Sequence, residues 1–210
     1  LEDLESANPE LISADSPTQR VGGQALTKFE KYTHPVPLMS LQDVFSMEEL
    51  NEFLAKILAA EPAAAFSVEP KIDGLSVALE YENGRFVRGA TRGDGAVGED
   101  VTLNVKTIQT IPLRLSEPLS FTLRGEVYMP RSVFEEINKE REAEGKALMA
   151  NPRNAAAGAI RNLDPAVTAS RNLSACFYDV GYIEGREPFA DQKEMLTFLA
   201  ENRFPVSGKE

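Results

Sequence analysis

The stretch from Leu75 to Arg88 constrains the fold more than any other part of this chain. Leu75, Val77, Leu79 and Tyr81 alternate with smaller or polar residues, Asn83-Gly84 intervenes, and Phe86-Val87-Arg88 resumes. Alternation with period two puts one set of side chains on a single face of a strand. Asn-Gly between two such runs favours a type I′ turn, because both central residues of that turn take positive φ. The stretch is therefore an antiparallel hairpin.

Other segments repeat one of the two periods. Phe121 to Met129 alternates, with Phe121, Leu123 and Val127 on one face and Thr122, Arg124, Glu126 and Tyr128 on the other. Leu173 to Ile183 reads as a strand, and another is expected at Phe204-Pro205-Val206. Helical spacing runs through Leu50, Phe53, Leu54, Ile57 and Leu58 behind a Ser46/Glu49 capping box, ending before Pro62. Ser132 with Glu135 predicts a second capped helix carrying Val133, Phe134 and Ile137 and closing near Gly145. Asn151-Pro152 opens a third helix, expected to run to about Leu163 before Asp164-Pro165 stops it. Gln192 to Asn202 is a last amphipathic helix, with Met195, Leu196 and Leu199 inward. The glycine-rich residues 91–100 read as a loop, and residues 1–20 as a frayed end with a turn at Asp15-Ser16-Pro17-Thr18. Antiparallel strands with helices beside them, without regular βαβ alternation, make the class α+β.

Composition narrows the function. A chain of 210 residues can bury roughly 70% of its unfolded surface, so staples are unnecessary. Cys176 is the one cysteine, which excludes a disulfide framework and a thiolate zinc site and suits a reducing compartment. No apolar run approaches the roughly 20 residues a bilayer requires, and no charged-then-apolar leader opens the chain. A cytoplasmic protein without membrane contact, and a monomer, is expected. The net charge of −11 argues against wrapping nucleic acid over the whole surface, since phosphates demand local positive charge. One basic strip remains: Arg153 and Arg161 lie eight residues apart, with Lys146 and Arg171 nearby, so residues 146–172 carry net +3. On one helix the two arginines would sit about 12 Å apart along the axis, a spacing suited to DNA phosphates and equally to simple solubilisation.

The residues with chemical promise lie at Glu69-Pro70-Lys71-Ile72-Asp73-Gly74. If this backbone is extended, Glu69, Lys71 and Asp73 share a face, with an amine between two carboxylates. A lysine nucleophile must be neutral to attack, and with a reference pKa near 10.4 only about one in a few thousand is neutral at pH 7. Neighbouring carboxylates favour the ammonium form further. A divalent metal, or cations gathered around a bound polyphosphate, would offset that field.

Lys71-Ile72-Asp73-Gly74 resembles the K-x-D-G nucleophile motif of the covalent nucleotidyltransferases: DNA ligases, RNA ligases and mRNA capping enzymes. Its surroundings narrow the likeness. Thr91-Arg92-Gly93-Asp94-Gly95 with Gly98-Glu99-Asp100-Val101-Thr102, then Leu123-Arg124-Gly125-Glu126-Val127, then Asn151-Pro152-Arg153-Asn154-Ala155-Ala156-Ala157-Gly158, resemble the adenylation domain of bacterial NAD-dependent DNA ligase. Val36-Pro37-Leu38-Met39-Ser40-Leu41 and Asp15-Ser16-Pro17-Thr18 do so too. The likeness covers essentially the whole chain. It implies the covalent nucleotidyltransferase fold, with residues 1–20 the remnant of an N-terminal helical region that grips nicotinamide mononucleotide and residues 21–210 an adenylation domain lacking its C-terminal part.

The resemblance also implies a reaction. The Lys71 amine attacks the α-phosphate of NAD, expels nicotinamide mononucleotide and retains AMP, which then passes to a 5′-phosphate at a nick for sealing by the 3′-hydroxyl. Mg²⁺ is the expected ion, with zinc confined to domains outside this chain, and the partners are NAD or AMP and nicked duplex DNA in replication and repair. By motif position Ser40 and Leu41 are backbone contacts beside the nucleotide and Glu69 an adenine-side contact. Arg92 is the ligand-binding arginine for ribose or phosphate oxygens, Glu126 the ribose-hydroxyl acceptor, and Asp73 a carboxylate near metal or the attacking amine. Arg153 and Arg161 are the candidate DNA contacts of the basic strip, with solubilisation as the alternative. No metal ligand is assigned in this chain, and His34 has no assigned role.

The departures are the later D-G-x-V-x-K and lysine blocks, and the OB-fold, zinc-finger, helix-hairpin-helix and BRCT modules. On this reading the chain alone is feeble or inert. An ATP- or GTP-dependent polynucleotide ligase or capping enzyme is the first alternative, and a non-catalytic nucleic-acid-binding module the second.

Overall fold

The computed structural model describes residues 1–13, 15–21 and 25–207. The chain opens with a short helix α1 (Glu2–Ala7) and two 3-10 turns, Pro9–Leu11 and Pro17–Val21. Strand β1 (Lys31–Thr33), helix α2 (Met47–Ala60), strands β2 (Leu75–Glu82), β3 (Arg85–Thr91) and β4 (Val97–Glu99), and helix α3 (Thr102–Lys106) follow. Then come β5 (Phe121–Tyr128), α4 (Arg131–Ala143), α5 (Pro152–Ile160), α6 (Pro165–Ala169), β6 (Ser174–Ile183) and α7 (Gln192–Glu201).

The hairpin forms as the alternation requires. Asn83 and Gly84 take φ of 49° and 74°, and β2 pairs with β3 on one side and with β5 on the other, all antiparallel. Adding β6 gives a four-stranded sheet in the order β3-β2-β5-β6. One face is apolar: Val77, Leu79, Tyr81, Phe121, Leu123, Val127 and Phe177 are almost fully buried. Rings interlock there, with Tyr81 stacked on Phe121 at 5.4 Å and edge-on to Phe204 at 5.3 Å. The Tyr81 hydroxyl, sunk in this cluster, donates to the Pro112 carbonyl at 2.5 Å, so its burial leaves no polar group unpaired. Helices α3, α5 and α7 lie against β3, β5 and β6. The class is the expected α+β.

The opposite face carries Ser76, Ala78, Arg124, Glu126 and Cys176, since Glu126 lies opposite Ser76 on β2 and Cys176 on β6. This polar face is the floor of the candidate site.

Several local expectations are corrected. The glycine-rich stretch is not all loop: Val97–Glu99 pairs with Lys31–Thr33 as a small second sheet, because Asp94 Oδ1 accepts from the Ala96 and Val97 amides and closes a tight turn ahead of the strand. Ser132 does not cap α4; the N-cap is Pro130, and Glu135 instead faces Arg131 one turn back at 4.0 Å. Helix α5 ends at Ile160, and Asp164 caps the separate α6 by accepting from Ala166 N, so Asp-Pro both stops one helix and starts another. Only Val206 of the expected last strand pairs, in a parallel bridge to Phe177. Phe198, with Met195 and Leu199, completes the buried stripe of α7, while Leu196 is half-buried.

Residues 1–20 are less frayed than expected. The Arg20 guanidinium donates to the carbonyls of Lys106, Ile108 and Ile111 at 3.0, 3.0 and 2.9 Å, closing the C-terminal end of α3. Asp15 lies within 3.6 Å of Arg85 and 3.9 Å of Arg114, and Ser16 and Thr18 both donate to the Glu5 carboxylate. Helix α2 starts where expected, with Ser46 Oγ accepting from Glu49 N. The Glu49 carboxylate accepts from Phe45 N, so the reciprocal half of the box falls one residue early. None of its residues is buried among the described residues. No helix of the described residues is long and apolar enough to cross a membrane.

Candidate functional site

The Lys71-to-Gly74 turn enters β2 at the rim of the polar face. Its last residue must be glycine for a packing reason: a Cβ on Gly74 would run into the Val127 backbone carbonyl of the neighbouring strand. That closeness lets Gly74 N–H donate to Glu126 Oε1 at 3.2 Å, which ties the turn to the floor. Lys71 and Asp73 are exposed, and Arg153 Nε lies 3.5 Å from Asp73 Oδ1.

Electrostatics bind these groups into one cluster. Burial pushes the Glu126 carboxyl above the usual carboxylate range; the Gly74 N–H, Lys71 and Arg153 oppose that shift, and Asp73 adds to it. In the geometry, Arg153 pairs with Asp73, and the Gly74 N–H ties the segment that carries Lys71 and Asp73 to Glu126. Glu69 turns to another side: its carboxylate accepts from Ser67 Oγ at 3.0 Å and Ser207 Oγ at 3.1 Å. Together with burial it pushes the Cys176 thiol up, burial being the larger cause.

A strap formed by residues 34–41 borders the same face. His34 N and Leu38 N donate to the carbonyls of Ala96 and Gly95 at 2.9 and 2.8 Å, and the buried His34 ring donates from Nε2 to Thr91 O at 3.0 Å. Gly93, at φ 60°, bends the loop so tightly that a Cβ would strike the Val97 carbonyl. Arg92 holds the strap from below, Nε to Leu38 O at 3.1 Å and Nη2 to Ser40 Oγ at 2.6 Å. Ser40 and Leu41 stand exposed at its end.

Each expected site residue thus has a place. Lys71, Asp73 and Glu126 come together with Arg153, whereas Arg92 and Ser40 meet each other and Leu41 extends beyond them. Glu69 lies on the same rim, near the chain's last described residues. Arg161 reaches a different carboxylate, Glu99 Oε2, at 3.5 Å. Both arginines expected on a DNA-facing strip are thus paired with carboxylates, Asp73 and Glu99. Among the described residues no group of three or more His, Cys, Asp or Glu side chains is placed to hold a metal ion.

Three residues on or beside this face were given no individual role by the sequence. Tyr178 crosses the floor from β6, its hydroxyl 3.3 Å from Ser76 Oγ on β2. Arg124 and Asp179 pair at 3.3 Å. A register shift between Arg124 and Gly125 resets the alternation of β6, so simple parity along Leu173–Ile183 could not have put Cys176 and Asp179 on one face.

Known proteins resemble the chain over its whole length. Residues 26–210 match the NAD-dependent DNA ligase adenylation domain, and residues 1–22 match the N-terminal NAD+-binding domain of DNA ligase-like proteins. The DNA ligase of Ligilactobacillus salivarius (strain UCC118) is 56% identical over 177 residues, covering 84% of this chain and 26% of that protein. The DNA ligase of Heliobacterium modesticaldum is 50% identical over 207 residues, covering 98% of this chain and 31% of the relative. That of Thermoanaerobacter sp. (strain X514) is 52% identical over 204 residues, with 97% and 31% covered. The chain spans less than a third of the length of these relatives.

Proposed function

This chain belongs to the NAD-dependent DNA ligase adenylation-domain family, and from that premise we propose that Lys71 is the nucleophile that takes AMP from NAD within a nick-sealing DNA ligase. The observation that carries the reading is the cluster of Lys71, Asp73, Arg153 and Glu126 at one end of the polar face, with the strap and its exposed Ser40 and Leu41 bordering the rest.

In this reading Nζ of Lys71, as the neutral amine, forms a bond to the α-phosphorus of NAD as the bond to the nicotinamide mononucleotide phosphate oxygen breaks; the nitrogen gives up one proton to solvent and keeps one N–H in the phosphoramidate. Arg153 moves from Asp73 toward phosphate oxygens, which its planar fork suits. Glu126, half-buried and already an acceptor for Gly74, accepts from a ribose hydroxyl. Ser40, Leu41 and Glu69 line the base side, and the Tyr178 ring offers a flat face on which a purine can lie. Arg92 holds the strap and turns its remaining N–H groups to the ligand. Mg²⁺ is compatible with these residues, because that ion is commonly held by one or two carboxylates together with substrate phosphates; Asp73 and Glu126 would hold it, and it would supply charge neutralisation.

Transfer of the AMP to a 5′-phosphate at a nick in duplex DNA is the proposed onward step, with Arg153 and Arg161 as phosphate contacts. Residues 1–20 belong in this reading to the nicotinamide side and residues 21–210 to the nucleotidyltransferase unit, acting as a monomer in the bacterial cytoplasm. The test is the intact mass of the full-length polypeptide carrying this chain, after incubation with NAD and Mg²⁺ or with ATP or GTP and Mg²⁺. One added AMP with NAD alone is expected. Addition only from a triphosphate would indicate the ligase or capping alternative, and no addition with salt-sensitive DNA binding would indicate a binding module.

A further inference from the structure

A guanidinium on the floor of the site is committed to the strap rather than to any ligand. Arg124 lies on β5, two residues before Glu126 and on the same face. Its Nη2 donates to the Met39 carbonyl at 2.9 Å, and its Nη1 lies 3.3 Å from Asp179 Oδ2 on β6. Its side chain is only 19% exposed. The neighbouring carbonyl of the strap, Leu38 O, is taken by Arg92, which also holds Ser40 Oγ. Arg124 on β5 and Arg92, one residue past the end of β3, thus grip three consecutive residues. Leu38 is buried, but Met39 and Leu41 are 73% and 74% exposed, so beyond Leu38 little side-chain burial holds the strap in place.

We propose that Arg124, aligned by Asp179, is a positioning residue that fixes the Met39 end of the strap over the sheet and so sets the nucleotide-side geometry of Ser40 and Leu41. Its importance for NAD binding rests on the functional reading above; the clamp itself does not. Arg124 acts through the Met39 backbone and touches no substrate. The role calls for arginine because one planar fork serves a carbonyl and a carboxylate on different segments, whereas a lysine ammonium is a point donor on a flexible stem.

The experiment compares wild type with Arg124→Ala, Arg124→Lys and Arg124→Ala/Asp179→Asn in the full-length polypeptide, by two readouts. The first is hydrogen exchange of the strap amides that are hydrogen-bonded, Leu38 N–H to Gly95 O and His34 N–H to Ala96 O, with those of β2 as the internal standard. Loss of a charge-assisted bond predicts exchange about tenfold faster in the strap with β2 unchanged, Arg124→Lys intermediate, and the double variant no worse than Arg124→Ala. Unchanged strap exchange overturns the clamp, as does acceleration spread equally through β2, which would mark a general loss of packing. The second readout is AMP transfer from NAD: KM is expected to rise about tenfold with kcat falling by no more than about twofold. Equal losses in kcat and KM would overturn the positioning role. Absence of Lys71-dependent AMP transfer in the wild type would sink the functional reading, while the exchange measurement would still decide the clamp.

Discussion

Gly74 donates its backbone N–H to Glu126 Oε1 at 3.2 Å, joining the Lys71 turn to the centre of the sheet. The contact exists because β2 and β5 approach closely at Gly74, with the Val127 carbonyl occupying the space a side chain would need.

Gly74→Ala should therefore damage both stability and chemistry. The new methyl meets backbone, which cannot rotate away, so a loss of about 1–3 kcal/mol is expected, with AMP transfer falling further than stability alone explains. Denaturant titration with adenylation assays on the same preparation checks this. An Ala variant with wild-type midpoint and activity would show the approach to be looser than described.

Glu126→Gln separates binding from folding. Burial raises the Glu126 pKa in the folded chain, so the native state binds its proton more tightly than the unfolded state does. Its effect on stability is most favourable below the unfolded carboxylate range and becomes adverse as pH rises through the folded pKa. Glutamine keeps an acceptor for Gly74 and carries no charge to desolvate. Its melting temperature relative to wild type should therefore improve from pH 4 to pH 7, while nucleotide binding is lost. A relative change in the opposite direction would reverse the assigned shift.

Arg20→Ala should cost about 2–3 kcal/mol, because the last carbonyl of α3 and two carbonyls of the turns that follow it lose a charged donor at once. Thermal unfolding checks the size, and hydrogen exchange should localise the loosening to residues 102–111. A change below about 0.5 kcal/mol, the scale of ordinary surface substitutions, would mean that water replaces the guanidinium without penalty.

Arg153→Ala predicts the reverse pattern. Its pair with Asp73 is exposed, with side chains 63% and 73% accessible, and such pairs contribute about 0–1 kcal/mol. The melting temperature should barely move. Transfer of AMP and binding to nicked duplex should both weaken, the latter with a shallower salt dependence. A marked loss of thermal stability with intact transfer would assign Arg153 to the scaffold.

The hairpin, β5, α2, α7 and the start of α5 were legible because each carries a local signal: Asn83-Gly84, strict alternation, or a capping residue. The Lys71 motif and its companion blocks were legible as family text. What escaped the sequence depends on contacts between distant segments. Strand β1 is three residues long and exists through its pairing with β4. Arg20 reads as one more surface cation until the end of α3 and the segment after it turn three carbonyls toward it, and Arg124 as a solvated strand residue until the strap crosses above it. Asp179 was hidden by the register shift in β6, and the Ser132 cap failed because Pro130 already starts α4 with compatible backbone angles.

The most direct measurement locates the adduct. After incubation of the full-length polypeptide with NAD and Mg²⁺, proteolysis and tandem mass spectrometry should find AMP on the peptide containing residues 69–74, attached to Lys71, and Lys71→Arg should carry none. AMP on another lysine, or undiminished labelling of Lys71→Arg, would contradict the account.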